Sequence, residues 1–100
     1  MKPQIHNLFG LMARARKIDV GTEKIYAGIK KNKYQLVVLA KDAQDKTREK
    51  IERLTTAYHV PLINLGTKEQ LAAAIGKELT VAIAIKDKGF SDALNKKIEK

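Results

Sequence analysis

One hundred residues suffice for a single hydrophobic core and not for two independent ones. Twenty basic residues against eleven acidic ones leave a formal net charge of +9, and there is no cysteine. Disulfides, Cys-ligated zinc and thiol catalysis are thereby excluded, and no apolar run approaches the length that spans a bilayer.

The N-terminus, Met1-Lys2-Pro3-Gln4-Ile5-His6-Asn7, lacks the apolar stretch of a signal peptide, so the expected location is the cytoplasm. Ile5, Leu8, Phe9, Met12 and Ala15 fall on one face of a helix over 5–15, with Arg14, Arg16 and Lys17 at its end. A short extended piece, residues 17–20, closes at Gly21-Thr22. The spacing of Ile25 and Ile29 predicts a second helix over 22–31. Gln35 to Ala40 is a continuous apolar run, as in a strand covered on both faces. Asp45 is placed to cap a third helix, with Thr47, Ile51, Leu54 and Tyr58 turned inward. Residues 60–66 read as another extended piece, whose Pro61 suits a strand start or a sheet edge. Thr67-Lys68-Glu69-Gln70 has the spacing of a capping box and opens a short helix that Gly76 ends. Leu79 to Ile85 reads as a second strongly buried strand. A lysine-rich helix with Phe90, Ala93, Leu94 and Ile98 on one face closes the chain.

Strict alternation of helices and strands with short connections implies one unit over 1–100. Its expected fold is a three-layer α/β/α sandwich around a four-stranded, mainly parallel (mixed) sheet. In a parallel sheet every strand-to-helix junction shares one edge, where helix N-termini present unpaired N–H groups.

Charge is concentrated toward one end of the chain. Residues 1–34 contribute +6, residues 35–78 contribute +1 and residues 79–100 contribute +2. Self-repulsion on this scale points to a polyanionic partner. Three junctions are expected to meet: Gly21-Thr22-Glu23-Lys24, Lys41-Asp42 and Ile85-Lys86-Asp87-Lys88, the last running into Gly89. Each brings at least one lysine to a helix start, a site for phosphate groups. Arg14, Arg16, Lys17, Lys30, Lys31 and Lys33 would widen it into a basic patch. From the residues alone, the partner is a polyanion, with nucleic acid foremost.

Leu11-Met12-Ala13-Arg14-Ala15-Arg16-Lys17-Ile18, Val20-Gly21-Thr22, Leu36 to Ala43 and Asp87-Lys88-Gly89-Phe90 stand in the order and spacing of one family. The chain resembles the L7Ae-type ribosomal proteins that bind kink-turn RNA, and among them the small bacterial YlxQ-type members. The resemblance implies an RNA-binding α/β/α sandwich, acting in or near the ribosome. It implies that polar side chains after the glycine (Thr22, Glu23 and Lys24) read purine edges. The loop before the last helix, Ile85 to Lys88, would give apolar cover to an extruded base. Lys41 and Asp42 match the motif after the second strand. The chain departs from the family at Glu23-Lys24, where binders carry Asn-Glu or Lys-Gln, at Ala27, where they carry a lysine, and at Arg16, where they usually carry glycine. These departures motivate a second reading, a protein-interaction module of the same fold.

His6 and His59 have no carboxylate or serine beside them in a local motif, and the only serine is Ser91. Asp42 and Asp19 do not make a magnesium pocket. Of the tyrosines, Tyr58 is expected in the core, and Tyr34 is the one expected at a partly exposed position. The expectation is a non-enzymatic monomer with RNA as partner, and with no cofactor, metal, small-molecule substrate or membrane.

Overall fold

The computed structural model describes residues 1–99; Lys100, the last of the lysines expected to close the chain, lies outside the described residues. The elements run α1 (Pro3–Arg14), β1 (Ile18–Val20), α2 (Thr22–Lys30), β2 (Leu36–Leu39), α3 (Asp45–Ala57), β3 (Leu62–Asn64), α4 (Lys68–Ile75), β4 (Ala82–Ile85) and α5 (Lys88–Ile98). This is the expected alternation, and it builds a four-stranded mixed sheet between two helical layers. The period-two alternation of the strands divides the core. Leu36, Val38, Ile83 and Ile85 pack with Phe9, Met12, Leu71 and Leu94 beneath α1, α4 and α5. Val37, Leu39, Ala82 and Ala84 pack on the other face with Ile25, Ile29 and Ile51 of α2 and α3.

Strand order is β1-β4-β2-β3. Only β2 and β3 pair in parallel; β4 lies between β1 and β2 and runs antiparallel to both. The expectation that all three junctions share one edge is therefore corrected. Gly21 and Lys41 follow strands that end at one edge, and Lys86 follows a strand that ends at the other. The reason lies in α4. Its first residue is tied to β2, the Lys68 N–H donating to Asp42 Oδ1 at 2.9 Å. Its last, Ile75, lines a depression together with Ile18 and Val20 of β1. Eight residues make a helix about 12 Å long, enough to step over two strand spacings of about 5 Å. The loop after Gly76 then folds back at the same edge, where Ala40 N–H donates to the Val81 carbonyl, and β4 enters in the opposite direction.

The capping box is present. Thr67 Oγ1 accepts from Gln70 N–H and Gln70 Oε1 accepts from Thr67 N–H. Gly76 ends the helix at φ 73°. Asp45 does not cap α3: the N-cap is Gln44, without a side-chain bond, and Asp45 sits in the first turn. Leu79 stands outside β4 and is 68% exposed. Tyr58 is a surface residue at the end of α3, while Tyr34 is buried, reversing both expectations.

Helices α1, α2 and α3 each end in a left-handed turn, at Arg16 (φ 58°), Asn32 (φ 57°) and His59 (φ 57°). The following N–H groups reach back to Met12, Gly28 and Thr55. Left-handed backbone costs a β-carbon residue roughly 1–2 kcal/mol, part of which glycine returns as unfolded-chain entropy. His59→Gly is thus expected to stabilise the protein by about 0.5–1 kcal/mol, read as a higher urea midpoint at unchanged m.

Candidate functional site

Edge strand β1 alternates Ile18, Asp19, Val20. Ile18 and Val20 pack toward α1, so the pleat turns Asp19 to the side covered by α2. The carboxylate is 2% exposed and forms the floor of a cationic cluster. Tyr34 Oη donates to Asp19 Oδ2 at 2.7 Å. Lys24 and Lys86 place Nζ at 3.4 and 3.5 Å from Oδ1, and Lys33 places Nζ at 3.9 Å from Oδ2. Burial alone would raise the Asp19 pKa, but the Tyr34 hydrogen bond and the charges of Lys86 and Lys24 outweigh it and hold the carboxyl below its usual value. Burial, then the Asp19 acceptor, push the Tyr34 phenol well above its ordinary value. Three ammonium groups against one carboxylate leave a net positive cluster. Lys24 is 65% and Lys33 45% exposed, so both heads remain open to an anion.

Tyr34 reaches Asp19 by crossing α2 at Gly28. A Cβ on Gly28 would lie closer than 3.0 Å to the Tyr34 Oη and ring atoms. That close approach is why a glycine sits inside this helix.

The β1–α2 junction shows the expected features. Gly21 is the N-cap, with φ 89° and no side-chain cap, and the first helical bond is Ile25 N–H to the Gly21 carbonyl. The preceding N–H groups, of Thr22, Glu23 and Lys24, have no backbone partner among the described residues. Glu23 is exposed in the first turn, where its charge suits the helix dipole. Beside this helix start lies an open depression of about 550 Å³, walled by Gly21 and Thr22 on one side and Lys77 to Ala82 on the other. Leu79 is the most exposed large apolar side chain on its wall, and Thr80 Oγ1 is buried with no hydrogen-bond partner among the described residues.

The remaining predicted residues fall at both ends of β1 and beyond. Arg14, Arg16 and Lys17 are exposed at the end of α1, joined to the Lys86 corner by a bond from Lys86 N–H to the Lys17 carbonyl. Lys31 is exposed at the α2 C-cap. Arg16, Lys24, Lys77 and Lys86 surround a second depression, of about 340 Å³, over Asp19. Strand β1 is only three residues long, about 7–10 Å, and brings the Gly21 and Lys86 ends within reach of one ligand.

Two expected contacts, Ile85 and Asp87, are taken up by the fold. Ile85 is wholly buried and offers no apolar surface. Asp87 is a cap, accepting from Phe90 N–H at 2.9 Å, whereas Lys88, though paired with Asp92 at 2.8 Å, keeps its side chain 76% exposed and open to an anion. Gly89 lies inside α5 rather than in a left-handed turn. Lys41 and Asp42 lie at the β2 corner, which Arg48 locks by donating to the Ala40 and Lys41 carbonyls at 3.0 Å and to Asn64 Oδ1, while Asp42 serves α4. Sequence reasoning missed Asp19, Tyr34, Lys77 and Leu79. A charge between two β-branched residues in a short strand was the available signal for Asp19. Among the described residues no helix is long and apolar enough to cross a membrane.

The chain is 34% identical over 87 residues to the RNA-binding protein YlxQ of Bacillus subtilis (strain 168), covering 87% of each chain. It is likewise 34% identical over 93 residues to the RNA-binding protein YlxQ of Enterococcus faecium, covering 93% of this chain and 89% of that one. Its fold matches that of a protein of unknown function from Bacillus halodurans C with a TM-score of 0.92 at 33% identity, covering 99% and 100% of the two chains. The Giardia lamblia 15.5kD RNA binding protein shares the fold at a TM-score of 0.76 and 19% identity, covering 99% of this chain and 88% of that one. Residues 4–95 match the family described as Ribosomal protein L7Ae/L30e/S12e/Gadd45, and the chain belongs to that family.

Proposed function

We propose that the whole chain acts as one non-enzymatic RNA-binding unit in the cytoplasm, monomeric and ribosome-associated, which grips kinked RNA along the flank of β1. One observation carries this reading: uncapped N–H groups of α2 and exposed Leu79 border one depression, and Lys24 and Lys86 over Asp19 line a second that shares Val20 and Lys77 with it. The N–H groups and lysines suit phosphates, and an apolar side chain beside them suits the face of an unstacked base. In this arrangement the apolar cover is Leu79, in the loop before β4, in place of Ile85. The RNA-binding names of the relatives support the class of ligand.

Lys24→Gln and Lys86→Gln are each expected to weaken binding to kinked, duplex and single-stranded RNA alike, and to reduce the salt slope by about one. Leu79→Ala should instead lower the preference for kinked over plain RNA, by about 1–2 kcal/mol. Titrations at several salt concentrations measure both. Equal affinity of the wild type for kinked and plain duplex would remove the kinked-RNA reading. No binding to any RNA at low salt would favour a protein-interaction module, the role suggested by Glu23, Lys24 and Ala27.

A further inference from the structure

A second basic surface lies at the far end of the α1–α5 layer, away from β1. Lys2, Gln4, Ala93, Lys96 and Lys97 line an open cleft of about 450 Å³, with no acidic side chain among them. Lys2 and Lys96 are exposed and Lys97 half-buried, and among the described residues none of the three is ion-paired. The nearest acids on α5 do not neutralise the cleft. Asp92 is engaged by Lys88 toward the other end of the helix, and Glu99, the α5 C-cap, is not among the lining residues. Like charges gathered without a counter-charge cost stability, which an anionic partner offsets.

The position of this cleft is fixed by the fold. Helix α1 ends, and α5 begins, at the corner where Lys86 N–H bonds the Lys17 carbonyl. The two helices leave that corner side by side, so the start of α1 and the end of α5 meet again one helix length away. For twelve and eleven residues that is about 16–18 Å. At roughly 3 Å of rise per base pair, this separation equals five or six pairs of duplex. The cleft has no aromatic residue and only Ala93 as an apolar wall, so it lacks the anchor that a protein partner would need.

We propose that Lys2, Lys96 and Lys97 form a second phosphate contact, which holds the stem flanking the bound RNA element about five or six base pairs from the β1 site. This inference rests on RNA binding at β1 and adds a footprint to it. The test uses the full chain and a kink-turn RNA with a flanking stem of about ten or about four base pairs. The wild type and a Lys2→Gln/Lys96→Gln/Lys97→Gln variant are compared, with a thermal melt to check folding of the variant.

Shortening the stem should weaken the wild type by roughly a hundredfold at 0.1 M salt and lower its salt slope by two to three. The variant should bind both stems as the wild type binds the short one. Equal loss by the variant on both stems would mark a general charge effect and overturn the spaced contact. Wild-type indifference to stem length would overturn it too, leaving binding at β1 intact. A wild type that binds neither RNA would overturn this inference together with the β1 reading.

Discussion

Gly28→Ala is expected to destabilise the protein by about 4 kcal/mol, although in an exposed helix the same change would add roughly 1 kcal/mol of helix propensity. The new methyl group would occupy the space of the Tyr34 Oη and ring. Tyr34 has no slack: it is 6% exposed and packed with Ile25, Ile29 and Val37. Overpacking of this kind costs about 1–3 kcal/mol. Displacing the ring also breaks the 2.7 Å bond to the Asp19 carboxylate, a charge-assisted contact worth about 1.5–3 kcal/mol. Against a total stability of roughly 5–15 kcal/mol, the loss is large enough to read as a shifted urea midpoint. The decisive comparison is the Tyr34→Leu background, where Gly28→Ala should be close to neutral. Additive costs in the double variant would show that Tyr34 is not what the glycine accommodates.

This pair marks where the sequence could and could not be read. Gly28 in isolation is an unfavourable helix residue, and Tyr34 in isolation is an amphipathic side chain in a lysine-rich connection. Their reason appears only when the connection after α2 folds back over the last turn of that helix. The helices were readable because their apolar positions repeat at the helical period, and because Thr67-Gln70 and Gly76 cap α4 through local bonds. Strands β2 and β4 were readable as unbroken apolar runs, though Leu79 extended the second run past its true start. The direction of β4 was not readable. Alternation fixes strand direction only if each connecting helix runs the length of the sheet, and α4 steps across it instead.

The site divides along the same line. The β1–α2 turn was legible because Gly21, at φ 89°, and the helix start after it are local features. The third junction was not, because caps and ion pairs at Asp87 and Lys88 depend on where α5 begins. With β4 reversed, the basic residues converge around a short edge strand and a buried acid rather than along one sheet edge.

Asp19→Ala is expected to cost about 3 kcal/mol, and its pH dependence separates it from an ordinary packing loss. Removal leaves Tyr34 Oη with only its long 3.4 Å contact to the Lys24 carbonyl, and three lysines without their counter-charge. The lysine heads are partly solvated, so the cost stays at the lower end of the range for a broken buried pair. Because the folded-state pKa of Asp19 is depressed, its contribution is complete above the unfolded value near 4 and is lost as pH falls through the folded value. Tyr34 acts at the other extreme. Its raised pKa contributes stability that is complete below the unfolded value near 10 and lost as pH rises beyond it. Urea unfolding of the wild type should therefore show stability falling at both ends of the pH range. Asp19→Asn should flatten the acid limb, and Tyr34→Phe the alkaline one. An acid limb unchanged in Asp19→Asn would mean that the carboxylate is not ionised beneath the lysines. The same variant reports on the proposed RNA grip: losing a negative charge should leave low-salt affinity undiminished, while lysines released from Asp19 should discriminate less between kinked and plain RNA.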